Sequence, residues 1–262
     1  MIGSLFSGIG GLELGLERAG LGPVAWQVEI DPFCREVLAR HWPDAARHTD
    51  VRSVGASTLA PVDLICGGFP CQDVSGAGLG RGLAEGTRSG LWYEYRRIVG
   101  ELRPRVVVVE NVASGKARWL CEVRSDLHAL GYGTRAYALS AADVGAPHLR
   151  RRIFVVANGN GNGSQGREQA GAATGAVGRG GAPGRHRFPP MRGDAAGWAE
   201  YVAAGGPEPA LRRGADGVSA GLGNAPVEAD DARAAERLAA LGNAVVPQCG
   251  EVIGRVLLEM LS

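Results

Sequence analysis

Short apolar runs recur along the first 160 residues, each followed by a stretch whose apolar positions keep helical spacing. "IGSLF" predicts a first strand, and "GLELGLERAG" sets Leu12, Leu14, Leu16 and Ala19 on a helix that closes at Gly20. "VAWQVEI" predicts a second strand, and "DPFCREVLARHW" a helix opened by Asp-Pro. "VDLICGG" and "RVVVVENV" are two further strands, separated by the helix "LWYEYRRIVGELRP", which Pro104 stops. "WLCEVRSDLHAL" is a helix ended by Gly131, "RRIFVVA" a later strand, and "DDARAAERLAALG" and "PQCGEVIGRVLLEML" two closing helices. Strands this continuous in apolar, β-branched residues predict a mostly parallel α/β sheet with helices on both faces. Ligands of such sheets bind beyond the C-terminal strand ends. The segments just after strands are "SGIGG", "GGFPC" and "ENV".

The patterning stops near residue 158. Residues 158–190 are glycine-rich, aperiodic and dotted with arginine, which predicts a long loop or disordered segment. Residues 191–229 are weakly patterned, with "GWAEYVAAGG" as one short helix. The expected organisation is a main domain of 1–157 plus 237–262 and a small irregular region over 158–236.

A chain of 262 residues is long enough for a sizeable core. No run approaches the length of a membrane span, and "MIGSLFSGIGG" lacks the pattern of a secretory leader. Cys34, Cys66, Cys71, Cys121 and Cys249 are odd in number and contain no CxxC, which points away from disulfides and zinc and toward a reducing compartment. Without other evidence they are small buried hydrophobes. Net charge is only +1, modest for a nucleic-acid binder. Lys116 is the one lysine; the abundance of Ala, Gly and Arg reads as coding bias of a GC-rich genome.

The turn "FSGIGGLE" carries Gly8, Gly10 and Gly11, whose backbone N–H groups can approach a ligand closely. Glu13 stands where a third glycine would complete GxGxxG. Glu29 follows at the end of the second strand, near the spacing at which a carboxylate holds ribose hydroxyls. The pair predicts an adenosine cofactor, either nicotinamide or S-adenosylmethionine. Cys71 follows Pro70 after the third strand, where a thiolate would meet a ligand. Glu110 ends four valines, where a carboxyl must be neutral or paired. A thiol and a protonated carboxyl together suit attack on a nitrogen heterocycle.

Taken in order, "FSGIGG", "EIDPFC", "GGFPCQDVS", "ENV", "RRRIF" and "LGNAVVP" resemble the DNA (cytosine-5) methyltransferase family across nearly the whole chain except 158–236. The resemblance implies a Rossmann-like class I methyltransferase sheet with a small target-recognition region. It implies Cys71, fixed by Pro70, as nucleophile at cytosine C6, Glu110 at N3, and Arg152 at O2 with help from Arg150. Phe6, Ser7, Gly8, Gly10 and Gly11 would cradle S-adenosylmethionine, which leaves as S-adenosylhomocysteine. Glu29 would take its ribose, Ile30 and Asp50 its adenine, and Asn243 and Val245 would close the pocket, so the last helix must return to the first strand. Ser75 and Arg88 would face DNA phosphates across a closing loop. Arg185, Arg187, Arg192, Arg212 and Arg213 are further candidate DNA contacts. His148 stands where the family has glutamine, in a structural hydrogen bond rather than as a base. The implied partner is double-stranded DNA, with the target base flipped out. The implied protein is a cytoplasmic monomer of prokaryotic or phage origin, with no metal, no membrane and a separate cognate restriction endonuclease. Methylation of RNA such as tRNA, a catalytically decayed DNA-binding module, and a nicotinamide oxidoreductase are the alternatives.

Overall fold

The computed structural model describes residues 1–70, 90–113, 116–146, 148–159 and 232–261. Seven strands form one sheet: β1 (Ile2–Leu5), β2 (Val24–Val28), β3 (Ala46–His48), β4 (Leu64–Gly68), β5 (Val106–Val112), β6 (Gly133–Leu139) and β7 (Arg152–Asn158). Their spatial order is β3-β2-β1-β4-β5-β7-β6. All pairs are parallel except those of β7, which runs antiparallel between β5 and β6. The helices are α1 (Gly11–Arg18), α2 (Pro32–His41), α3 (Leu91–Leu102), α4 (Lys116–Ala129), α5 (Ala232–Asn243) and α6 (Pro247–Leu261).

Alternate residues of the central strands feed two cores, as the two-residue period of a strand requires. Leu5, Ile65, Val107 and Val109 pack with Trp92, Tyr95 and Trp119 of α3 and α4. Ile2, Leu64, Cys66, Val106 and Val108 pack with Leu12 and Leu16 of α1 and Ile253 and Leu257 of α6. The last helix does return to the first strand and its helix. A Cβ on Gly15 would collide with the Pro247 carbonyl, and one on Gly250 would stand 3.0 Å from that of Leu12. Glycine lets these two backbones meet.

The sequence reading anticipated the five apolar strands but not β3 or β6. Those two are the sheet edges. "ARH" and "GTRAYAL" are half solvated and show no continuous apolar run. α5 starts at Ala232, within the expected helix "DDARAAERLAALG". Chain order reverses between β1 and β4: it runs outward through β2 and β3, then returns to the other side of β1. That reversal opens a crevice at the C-terminal ends of β1 and β4. Among the described residues, no helix is long and apolar enough to cross a membrane.

Candidate active site

The chain leaves β1 through a strained turn. Phe6, Gly8 and Gly10 have φ of 55°, 55° and 83°. Gly10 N–H donates to the Ser7 carbonyl at 3.0 Å, and Ser7 N–H to the Val28 carbonyl at 3.2 Å. Glu29, just past β2, locks this turn: Oε2 accepts from Gly8 N–H at 2.7 Å and Oε1 from Asp31 N–H at 2.8 Å. Asp31 caps α2, accepting from Cys34 N–H at 2.9 Å. A Cβ on Gly8 would meet nothing within 4 Å, so open space borders the turn there. A Cβ on Gly11 would collide with the Val245 carbonyl, and one on Gly10 with the ring of Trp42. Trp42 Nε1–H in turn donates to Glu17 Oε2 at 2.8 Å. Phe6 stacks on Tyr95 with ring centroids 6.4 Å apart, and Ile30 is exposed. Both carboxylate oxygens of Asp50 are engaged by Arg52, whose Nε and Nη2 lie at 3.0 and 2.9 Å, and this holds the carboxyl below its ordinary range.

Across the crevice, Glu110 of β5 pairs in register with Gly68 of β4. A Cβ on Gly68 would collide with the Glu110 carboxyl, so only glycine leaves room for it. Arg152, opening β7, brings its Nε within 2.8 Å of Glu110 Oε1. The contact is an ion pair without hydrogen-bond alignment, and Oε1 stays buried with no aligned donor. Burial lifts the Glu110 carboxyl to about 7, against the pull of Arg152 and Arg150. This carboxyl therefore holds or releases a proton near neutrality.

Two polar side chains organise the surroundings: Asn111, which sequence reasoning missed, and Arg150, which it expected at the base. Asn111, buried beside Glu110, donates from Nδ2 to the Phe69 carbonyl at 3.2 Å and accepts Val112 N–H at 2.8 Å. It ties the backbone leading to Pro70 onto the end of β5. Arg150, at φ of 30°, donates from Nη2 to the carbonyls of Gly242 and Ala244 at 2.8 and 2.6 Å. Its guanidinium clamps the turn between α5 and α6 against the entry to β7. Asn243, Ala244 and Val245 thereby line the same crevice as Phe6, Ser7, Gly8, Gly68 and Glu110.

The structure brings the predicted cofactor residues Phe6, Ser7, Gly8, Gly10, Gly11, Glu29, Asn243 and Val245 into one place with Glu110 and Arg152 close by. His148 is exposed and makes no hydrogen bond among the described residues, so the structural bond expected of it is not found there. Cys71, Ser75, Arg88, Arg185, Arg187, Arg192, Arg212 and Arg213 lie outside the described residues. Of the other thiols, burial pushes Cys34 to about 12, Cys249 to about 11 and Cys66 well above its ordinary value. Those three are inert as nucleophiles near neutral pH. A glycine turn locked by a carboxylate, with open space beside Gly8, fits an adenosine cofactor.

A family model described as C-5 cytosine-specific DNA methylase matches residues 1–174. The chain is 36% identical over 171 residues to the Type II methyltransferase M1.HphI of Haemophilus parahaemolyticus, covering 60% of this chain and 45% of that protein. It is 34% identical over 156 residues to M.HhaI of the same organism, covering 58% and 47%. A solved protein from an E. coli prophage, described as a DNA modification methyltransferase, matches with TM-score 0.50 and 31% identity over 60% of this chain and 46% of that one. Dnmt2 of S. pombe matches with TM-score 0.52 over 62% and 51%, and at 21% identity it speaks for the fold alone. The chain spans under half the length of the two Haemophilus relatives. With the strand order above, these neighbours make the fold a Rossmann-like class I methyltransferase sheet.

Proposed function

Since the chain belongs to the C-5 cytosine-specific DNA methylase family, we propose that it methylates C5 of cytosine in duplex DNA, sequence-specifically, with Cys71 as nucleophile. The observation that carries this reading is the Gly68–Glu110 pair: a buried carboxyl, with Arg152 beside it, faces the strand end from which the chain runs through Pro70 to Cys71.

In this mechanism the Cys71 thiolate adds to C6 of a flipped-out cytosine. The new S–C6 bond pushes the ring electrons toward C5 and the N3–C2–O2 side. Glu110, protonated, donates to N3, and Arg152 steadies the developing charge at O2. S-adenosylmethionine, when bound, supplies an electrophilic methyl group to C5. Loss of the C5 proton then restores the ring and expels Cys71 as a thiolate. The role of Arg150 shifts in this account. It holds the Gly242–Ala244 turn over the crevice and so acts on the base only through position.

Phe6, the Gly8–Gly11 turn and Glu29 hold the adenosine part of the cofactor, with Ile30 and Asp50 on its adenine side, and Asn243 and Val245 close over it. Ser75 and Arg88, with Arg185, Arg187, Arg192, Arg212 and Arg213 of the target-recognition region of this reading (158–236), contact DNA. The family's description as a DNA methylase favours DNA over RNA as substrate. The relatives bear the name Type II methyltransferase, and in this reading the protein acts as a monomer beside a separate cognate endonuclease. The test is methyl transfer from labelled cofactor to duplex DNA and to tRNA side by side. Transfer to DNA, lost in Cys71→Ser, supports the reading; full activity in that variant rejects the nucleophile.

A further inference from the structure

Glu13 lies in the first turn of α1, inside the fold rather than on its surface: the residue is 1% exposed. It lines the crevice that holds Gly8, Glu110 and Val245. Beneath it the sheet presents a polar row, for Ser4 of β1 pairs in register with Gln27 of β2 on one side and Cys66 of β4 on the other. The Ser4 and Ser7 hydroxyls bond to each other at 2.9 Å and stand, with the Gln27 carboxamide, beside the Glu13 carboxyl. Yet Glu13 Oε1, Gln27 Nε2 and Gln27 Oε1 each lack an aligned partner among the described residues. Three such atoms at one buried place cost several hydrogen bonds, and a native fold leaves them so where water or a ligand completes them.

The charges around the crevice narrow the choice of ligand. Glu110 has Arg152. Among the described residues no cation faces Glu13: β1 offers Ser4, β2 Gln27, the turn Ser7 and β4 the Cys66 thiol. A buried carboxyl without a counter-charge, at the edge of a ligand crevice, calls for a cationic ligand group. Burial lifts this carboxyl to about 7, so an arriving cation would draw it into its charged form near neutrality.

We propose that Glu13 is the anionic subsite for the cofactor's amino-acid end, pairing with its α-ammonium group while the Ser4, Ser7 and Gln27 side chains complete the hydrogen bonding. The inference rests on the assignment of S-adenosylmethionine to this crevice. It makes Glu13 a specificity residue, selecting adenosine compounds that carry the amino acid over those that lack it.

The experiment titrates the full chain with two probes by calorimetry. S-adenosylhomocysteine carries the amino-acid end; 5′-methylthioadenosine does not. Glu13→Gln should weaken the first about tenfold or more and leave the second within about twofold. In the wild type near pH 6.5, binding of the first probe should release protons, read from two buffers of different ionisation heat, and binding of the second should release none. That measurement needs no variant, so it decides even if Glu13→Gln does not fold. Equal weakening of both probes would make Glu13 merely structural and overturn the proposal, as would unchanged affinity or the absence of proton release. Failure of the wild type to bind either probe would instead overturn the cofactor assignment beneath it.

Discussion

The two halves of the crevice are built differently. On the β1–β2 side, the Glu29 carboxylate spends both oxygens on backbone N–H groups, at 2.7 and 2.8 Å, and the turn it locks is finished without a ligand. On the β4–β5 side, Glu110 is buried, ion-paired to Arg152 without alignment, and lifted to about 7. A satisfied carboxylate fixes shape; an unsatisfied one stores capacity for chemistry. The Glu29 turn is a preformed cradle, distinct from Glu13 and Gln27 beneath it, which are unsatisfied among the described residues. The β4–β5 side is completed by what enters it.

Variants can break this contrast, beginning where the expected effect is greatest. Cys71→Ser should abolish turnover while S-adenosylhomocysteine affinity stays within about twofold, since the thiol serves the base and not the cofactor. Glu110→Gln should lower kcat by about 10²–10⁴-fold, again sparing cofactor affinity. Its pH profile should change as well. With the folded carboxyl at about 7, protonated Glu110 becomes scarce above neutrality, so wild-type kcat/KM should fall on that side, and Glu110→Gln should lose this alkaline limb. Glu29→Gln should do the reverse, raising KM for S-adenosylmethionine and largely sparing kcat at saturation. Should both variants show the same kcat–KM split, the contrast fails.

Arg150→Ala is the milder case. It removes charge-assisted bonds to two carbonyls and should cost about 1–3 kcal/mol, seen in denaturant unfolding, with a raised cofactor KM. The last effect is read in stability against pH. Glu13 and Glu110 both keep a proton in the folded state up to about 7 that the unfolded chain releases near 4.5. Folded protein therefore binds more protons between those values, and stability must fall as pH rises through that window. Glu13→Leu should flatten part of this fall, measured as unfolding midpoints at pH 5 and pH 7.5.

Much of this was legible in the chain. Val106–Val109 and Leu64–Cys66 are buried on both faces, and continuous apolar runs announce such strands. The position of Glu110 was legible too, since four valines before a carboxylate mark a strand that ends in a buried acid. Other parts left no local trace. Arg150 acts through backbone carbonyls some ninety residues away, and no side-chain pattern marks a carbonyl. Glu13 stands where a third glycine would complete GxGxxG, and nothing local in "GLELGLER" marks its carboxyl as buried beside Ser4 and Gln27 of the sheet. Trp42 supports Gly10 from behind, a contact fixed by how α2 packs rather than by its sequence. The edges β3 and β6 were missed because half-solvated strands lack the apolar run that marks buried ones.

The central claim is a temporary bond between Cys71 and a cytosine ring, and it can be caught. Fluorine at C5 cannot leave as a proton, so methylation of 5-fluorocytosine stops with the enzyme attached. Incubation with S-adenosylmethionine and a plasmid-length duplex carrying 5-fluorocytosine, followed by digestion and mass spectrometry, should find the pyrimidine on the peptide containing Cys71. Methyl transfer to normal DNA with no such adduct, or an adduct on another residue, would contradict the account.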